Sequence, residues 1–97
     1  METLFWVYMM TNKPYGTLYI GITNDLARRV YEHREGMIKG FTKRHGLKIL
    51  VWYAEFTTAI EAISYEKKIK RWQRDWKMQL VENFNPVWRD LYEDINK

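Results

Sequence analysis

The chain has 97 residues, of which 46% are hydrophobic and 29% charged, and this balance predicts one compact domain over residues 1–97. Cysteine is absent, which excludes disulfides and thiolate metal sites. The sequence shows neither a signal peptide nor an apolar run of the ~20 residues that a bilayer span requires. We therefore expect a cytoplasmic protein that does not bind membranes.

Basic residues concentrate in one part of the chain. The net charge is +4, and the chain is basic up to Val81 and acidic after it. Between residues 67 and 77, one acid, Asp75, stands against six cations: Lys67, Lys68, Lys70, Arg71, Arg74 and Lys77. Such a cluster is typical of a phosphate-binding surface, and a solvated helix face explains the charges equally well.

Two apolar, aromatic runs at residues 4–10 and 17–22 predict β-strands. A turn sequence with Asn, Pro and Gly separates them, so the strands are expected to form an antiparallel hairpin. Symmetric closure of the loop sets Tyr8 opposite Tyr19. Because opposed residues share a face of the hairpin, the two phenols should lie side by side.

Three helices and one further strand are predicted along the rest of the chain. They are the helices 25–35, 58–74 and 75–84, the last capped by Asp75, and the strand 47–56. Thr23 or Asn24 can cap the first helix, Gly36 can end it, and Thr58 opens a capping box at the second. The basic connection 40–46, with Gly at both ends, is predicted to be a loop.

The element order ββαβαα predicts an α+β fold with a small three-stranded antiparallel β-sheet flanked by helices. The core should cover about residues 3–85. The tail, residues 86–97, should pack against it through Trp88 and Leu91.

Two of the predicted helices carry a charge on the face expected to be buried. At ~100° per residue, Arg29 shares a face with Val30, and Glu66 shares one with Ile63 and Ile69. Burying a lone charge costs on the order of several kcal/mol, so these residues must pair, bind a metal or line a wet cleft. An Arg29–Glu66 salt bridge and a functional cleft are the two interpretations.

Two tyrosines, an arginine, a histidine and a glutamate together suit phosphoryl chemistry. Arginine binds phosphate oxygens through its planar fork, and a carboxylate holds Mg²⁺ or Mn²⁺. Tyrosine can orient a water, or take its proton if the tyrosine pKa is lowered. One carboxylate with one arginine indicates a single-metal site.

Gly21 follows Tyr19 on the same sheet face, where it leaves room for a helix or for nucleic-acid backbone, unless it marks a β-bulge.

The segments WVY at residues 6–8 and YIG at 19–21, followed by Arg29 and His33, resemble the defining motif of the GIY-YIG nuclease superfamily. The first element is degenerate, because Trp and Val replace Gly and Ile, whereas the second is intact. The chain is also similar to small stand-alone bacterial members in its AISYEKKIKRW helix and its NPVWRDL ending. The resemblance therefore extends over nearly the whole sequence.

This resemblance implies metal-dependent hydrolysis of nucleic-acid phosphodiester bonds, with DNA in repair or recombination as the expected substrate. The site residues that it implies are Tyr8, preferred as the base, Tyr19, Arg29, His33, Glu66 as the ligand of one Mg²⁺ or Mn²⁺, and Asn85, with Asn83 as the alternative late asparagine. Nucleic-acid contacts are expected from Gly21, Lys43, Arg44, Lys67, Lys70, Arg71 and Arg74. Other members commonly carry a separate binding domain, so specificity here is expected from the basic helix or from a protein partner.

Two further functions fit the same residues. Trp72 and Trp76 lie four residues apart among the cations, where they could stack on bases in a binding module without catalysis. Core packing is the more common use of such tryptophans. A structural protein, with Arg29 and Glu66 merely paired, is the third interpretation.

Overall fold

The computed structural model describes residues 3–96, in which three β-strands form one antiparallel sheet of order β2-β1-β3. The elements are β1 (Phe5–Thr11), β2 (Leu18–Thr23), α1 (Leu26–Arg34), α2 (Phe41–His45), β3 (Ile49–Phe56), α3 (Ala59–Lys70), α4 (Arg74–Phe84) and α5 (Tyr92–Ile95). The α+β prediction is confirmed, with two short helices, α2 and α5, added to the predicted order. No helix within the described residues combines the length and the apolar character that would let it cross a membrane.

The central strand β1 is buried on both faces, and each face has its own apolar core. Val7 and Met9 face helices α3 and α4, whereas Tyr8 and Met10 face α1 and the C-terminal tail. This division follows from the alternation of side chains along a strand. In the tail, Trp88 and Leu91 are buried against the body.

The register between β1 and β2 differs by two residues from the predicted one. Tyr8 lies opposite Gly21, so the predicted pairing of Tyr8 with Tyr19 is wrong. The turn begins one residue later than expected, because Asn12 Oδ1 accepts a hydrogen bond from Thr17 N at 3.0 Å and closes the loop over residues 12–17. Since the shift is even, both phenols still project from the same face.

The first helix begins one residue later than predicted. Asp25, rather than Thr23 or Asn24, is its N-cap, and Asp25 Oδ1 accepts a hydrogen bond from Arg28 N at 3.2 Å. Gly36 follows the end of the helix with a φ of 68°, as a glycine at this position permits.

The segment 40–46 was predicted to be a loop and contains α2 instead. The helix is one turn long, and Gly46 ends it in the left-handed conformation with a φ of 65°. The helix could not be predicted, because one turn is too short to show an apolar period and most of its side chains are polar or basic.

The second predicted helix ends early, and the third begins one residue before its predicted start. Thr58 caps α3 as expected, with Oγ1 accepting from Glu61 N at 3.2 Å, but α3 ends at Lys70 rather than at residue 74. The next helix begins at Arg74 with Gln73 as its N-cap, so the predicted cap at Asp75 is wrong.

The buried side chain of Asn85 holds the C-terminal tail against β3. Its amide donates to Val51 O at 3.1 Å and to Arg89 O at 2.8 Å, and its Oδ1 accepts from Arg89 N at 3.2 Å. All three partners are main-chain groups. Asn85 therefore satisfies backbone that would otherwise be buried without hydrogen bonds.

Replacing Asn85 with Ala should lower the free energy of unfolding by about 2–3 kcal/mol, because two carbonyls lose their donor in a buried site. Urea denaturation at neutral pH measures the change. Asn83→Ala, on the exposed face of α4, is the matched control and should cost less than about 0.5 kcal/mol. Equal losses in the two variants would contradict the assigned role of Asn85.

Candidate active site

Tyr8 and Tyr19 lie together over Gly21, with ring centroids 6.3 Å apart. A Cβ added to Gly21 would stand 2.5 Å from the Tyr8 hydroxyl and 2.9 Å from Tyr19 Cε2. The β1–β2 register runs through Gly21 without a shift, so the β-bulge interpretation is wrong. The ring of Tyr8 fills the space beside Gly21 that was expected for a helix or for nucleic-acid backbone.

His33 of α1 connects the phenols to α2. Tyr8 Oη lies 2.8 Å from His33 Nε2, and His33 Nδ1 lies 2.9 Å from Thr42 Oγ1. Tyr8 is 1% exposed and His33 is 3% exposed, so water does not compete for these hydrogen bonds. The His33 ring also packs edge-on against Tyr19, with centroids 5.5 Å apart.

Thr42, which is buried in α2, is a site residue that was not predicted. It sits in the segment that was predicted to be a loop, between a glycine and two cations. No periodicity or motif distinguishes this threonine from an exposed one, so only the tertiary contact with His33 reveals it.

Burial sets the protonation states of Tyr8 and His33. Burial raises the pKa of Tyr8 well above its ordinary value, the neighbouring Tyr19 raises it further, and Arg29 opposes the rise. Burial also lowers the pKa of His33 to about 4, and the charge of Arg29 adds to this effect. At neutral pH Tyr8 is therefore protonated and His33 is neutral. A phenolate base at Tyr8 would need the opposite shift.

These protonation states define the hydrogen-bond direction when Tyr8 is the donor. Neutral His33 carries one ring proton, so Nε2 accepts from Tyr8 only if Nδ1 donates to Thr42 Oγ1. Thr42 then selects the tautomer in which His33 can receive a proton from Tyr8.

Arg29 and Glu66 flank the Tyr8 phenol, and both charges act on its pKa. The Arg29 side chain is 41% exposed and its Nη1 lies 3.4 Å from Glu32 Oε1. The Glu66 side chain is 14% exposed, and its Oε2 lies 3.2 Å from Lys70 Nζ. Within residues 3–96, Arg29 and Glu66 thus form ion pairs with other residues and not with each other, which contradicts the salt-bridge interpretation.

The apolar stripe predicted around Glu66 is only partly correct. Ile69 is fully buried, but Ile63 is exposed on the outer side of α3. Glu66 therefore lies at the margin of the core, where a carboxylate keeps some solvent.

Most of the cations predicted to contact nucleic acid are exposed on helices beside the cluster. They are Lys43 and Arg44 on α2, Lys67 and Lys70 on α3, and Arg71 at the C-terminus of α3. Arg74, at the start of α4, is also exposed, and its Nη2 donates to the carbonyls of Tyr15 and Gly16 at 2.7 Å each. Its guanidinium fastens the β1–β2 loop to the start of α4.

The late asparagines are not brought to the phenols. Asn85 is bound to the main chain of β3, the edge strand on the far side of β1 from β2. Asn83 is exposed on α4, where its Oδ1 accepts from Gln79 Nε2 at 2.9 Å. The positions of both side chains favour structural roles.

The two tryptophans of the basic segment differ in burial. Trp72 is half-buried and packs against the core beneath α3 and α4. Trp76 is 55% exposed, so the core-packing interpretation is wrong for this residue. Their rings meet edge to face, with centroids 5.9 Å apart.

Comparison with known proteins identifies the family. The model of the GIY-YIG catalytic domain matches residues 4–79, which include both phenols, Arg29, His33 and Glu66. The chain belongs to the GIY-YIG nuclease family.

Its similar relatives are UPF0213 proteins. A UPF0213 protein of Vibrio parahaemolyticus is 36% identical over 82 residues, which cover 84% of this chain and 76% of that protein. One of Clostridium perfringens is 32% identical over 91 residues, which cover 94% and 97%. The solution NMR structure of a UPF0213 protein from Bacillus halodurans is 29% identical and superposes with a TM-score of 0.57, covering 90% of this chain and 92% of that one.

Gly21→Ala should destabilise the protein by about 1–3 kcal/mol, because the new methyl group displaces the Tyr8 ring. The loss is steric, since the backbone at Gly21 lies in no strained region. Urea denaturation measures it. In a Tyr8→Ala background, the same substitution should cost much less, and an equal cost in both backgrounds would contradict the close contact.

Acidification should destabilise the fold through His33. The unfolded pKa is 6.5 and the folded pKa about 4, so the unfolded chain binds more protons between these values. Stability should fall as the pH drops through this window, by up to ~1.4 kcal/mol per pH unit from this residue. His33→Gln should lose this part of the pH dependence in urea titrations, whereas His45→Gln, at an exposed site, should retain it.

Proposed function

We propose that this chain is a metal-dependent endonuclease that hydrolyses nucleic-acid phosphodiester bonds, with DNA undergoing repair or recombination as its substrate. The observation that carries the proposal is the convergence of two phenols, a guanidinium, an imidazole and a carboxylate within the residues matched to the GIY-YIG family. Each group has a chemical task in phosphodiester hydrolysis, and family membership supports the same conclusion.

Glu66 is the residue that would hold the divalent metal, Mg²⁺ or Mn²⁺. Residues 3–96 contain no cluster of three histidine, aspartate or glutamate side chains. Mg²⁺ commonly binds through one or two carboxylates together with substrate phosphate oxygens and retained waters, so a lone, slightly exposed carboxylate fits one hydrated ion. When bound, such an ion supplies charge stabilisation at the phosphate.

Arg29 binds the phosphate at the point of cleavage. Its guanidinium is partly exposed beside the phenols, and its contact with Glu32 is long enough at 3.4 Å for a phosphate to compete. A planar guanidinium can donate two hydrogen bonds to phosphate oxygens and stabilise the charge that develops in the transition state.

Tyr8 and His33 form a path for the proton of the attacking water. The water oxygen bonds to phosphorus, the bond from phosphorus to the leaving oxygen breaks, and the leaving oxygen takes a proton from solvent. Because Tyr8 remains protonated at neutral pH, its oxygen accepts the proton of a water that enters with the phosphate, as its own proton passes to His33 Nε2, 2.8 Å away. The negative charge of the phosphate offsets the burial and the Arg29 charge that keep the pKa of His33 low. Tyr19, half-exposed beside Tyr8, orients the water.

A binding module without catalysis is the second candidate function. The exposed indole of Trp76 favours it, because this indole and Trp72 line a notch of about 230 Å³ on the outer face of α4. Under either function, sequence-independent phosphate contacts come from the cations of α2 and α3, and a protein partner supplies further specificity.

Cleavage assays test the catalytic proposal. The substrates are labelled single-stranded, duplex, flapped and branched DNA and matching RNA, with Mg²⁺ or Mn²⁺. Glu66→Gln and Arg29→Ala should each lower the rate by at least ~10²-fold, because each removes charge stabilisation at the phosphate.

Two variants serve as matched controls. Arg28→Ala removes the neighbouring exposed arginine of α1, and Glu55→Gln removes an exposed carboxylate of β3. Both should cleave at nearly the wild-type rate. Equal cleavage by all five proteins would contradict the assigned site. If the folded wild-type protein, supplied with metal, binds nucleic acid but does not cleave it, the binding module is favoured.

A further inference from the structure

A groove of about 290 Å³ lies across the outer edge of β2, beside the phenols of the candidate active site. Its lining residues are Leu18, Tyr19, Ile20, Phe41, Lys70 and Lys77. None of these six residues is acidic, and two are cations. The groove is therefore suited to an anionic ligand.

The groove joins the two faces of the sheet. Tyr19 projects on the face of α1 and α2, and Phe41 begins α2 on that side. Lys70 and Lys77 come from α3 and α4, which cover the opposite face. Because β2 is the edge strand, a chain-like ligand can pass over it from the cations to Tyr19 without displacing a paired strand.

The two cations, Lys70 and Lys77, differ in whether they form an ion pair. Lys70 Nζ is paired with Glu66 at 3.2 Å, which places this end of the groove one helical turn from the proposed metal ligand. Lys77 is half-buried on α4 and makes no ion pair among residues 3–96. An anion in the groove would give the Lys77 ammonium the counter-charge that the described part of the chain does not provide.

Phe41 adds an aromatic surface to this basic groove. It is 44% exposed, and its ring is inclined by only 24° to that of Tyr19, with centroids 6.5 Å apart. An exposed aromatic ring next to cations is the arrangement on which nucleic-acid bases stack. A base can reach such a ring only when it is not paired in a duplex.

We infer that the groove binds a nucleic-acid strand with an unpaired nucleotide, holding phosphates at Lys70 and Lys77 and a base against Phe41. This inference rests on the proposed function, because it makes the groove the path by which the strand reaches Tyr19. It extends that function to a substrate class, nucleic acid that is unpaired beside the cleaved bond.

Binding without metal tests the groove separately from cleavage. Fluorescence anisotropy in EDTA measures the affinity for a labelled short oligothymidylate and for a blunt duplex of equal length. Lys77→Gln should weaken oligothymidylate binding about 3- to 10-fold at low salt and reduce the salt dependence by ~0.7 in log–log slope. Phe41→Leu should weaken oligothymidylate binding about fivefold or more and leave duplex binding unchanged.

The opposite edge of the sheet offers matched controls. Lys48→Gln removes an exposed cation next to β3, and Phe84→Leu changes a ring of 48% exposure that packs on Tyr53 of β3. Both should bind as the wild type does. Lys77→Arg, which keeps the charge, should restore affinity if Lys77→Gln acts through its charge rather than through folding.

Three results would overturn the inference. They are an equal loss in Lys48→Gln and Lys77→Gln, a Phe41→Leu variant that binds oligothymidylate as the wild type does, and competition by polyglutamate as effective as that of an oligothymidylate of equal charge. None of these results involves cleavage, so each leaves the nuclease proposal standing. Conversely, a failed cleavage assay with groove binding intact would contradict catalysis alone.

Discussion

The site depends on the phenol of Tyr8, which lies across Gly21 and binds the imidazole of His33 within a buried cluster. The ring fills the volume in which any other residue at position 21 would place its Cβ, 2.5 Å from the hydroxyl. That contact orients Tyr8 over β2, and the 2.8 Å hydrogen bond to His33 then connects the sheet to α1. Since His33 is held in turn by Thr42 of α2, one chain of contacts from β2 through both helices determines the geometry of the phenols.

Burial gives this cluster its chemical character as well as its rigidity. A phenol with a raised pKa and an imidazole with a lowered one are both neutral at physiological pH, so protons can move between them without a buried charge in the resting state. The charges of the site, Arg29 and Glu66, remain near its solvent margin, where desolvation costs less and a phosphate can enter. In the proposed mechanism, proton transfer takes place inside the cluster and charge stabilisation at its solvent margin.

The edge position of β2 makes this separation possible. Helices α1 and α3 cover opposite faces of the sheet, and their charges meet only because the sheet ends at β2. The same edge carries the groove from Lys77 to Tyr19. At the other edge, β3 is covered by the tail through Asn85 and Asp90, whose Oδ1 accepts from Leu50 N at 3.2 Å. One edge of the sheet is thus covered by the tail, while the other carries the groove.

The three strands, the α+β class, the cap at Thr58 and the helix stop at Gly36 could be predicted from the sequence, because they follow from local alternation and capping. The motif residues were found through the resemblance to the GIY-YIG family. The partners of the charged and polar groups are visible only in the folded chain: Lys70 for Glu66, Thr42 for His33, the β1–β2 loop for Arg74 and the main chain of β3 for Asn85. Such pairings join residues distant in sequence, and their choice depends on burial and register. The β1–β2 loop begins one residue later than predicted, and this difference moves the strand register by two residues. No local sequence pattern indicates such a shift.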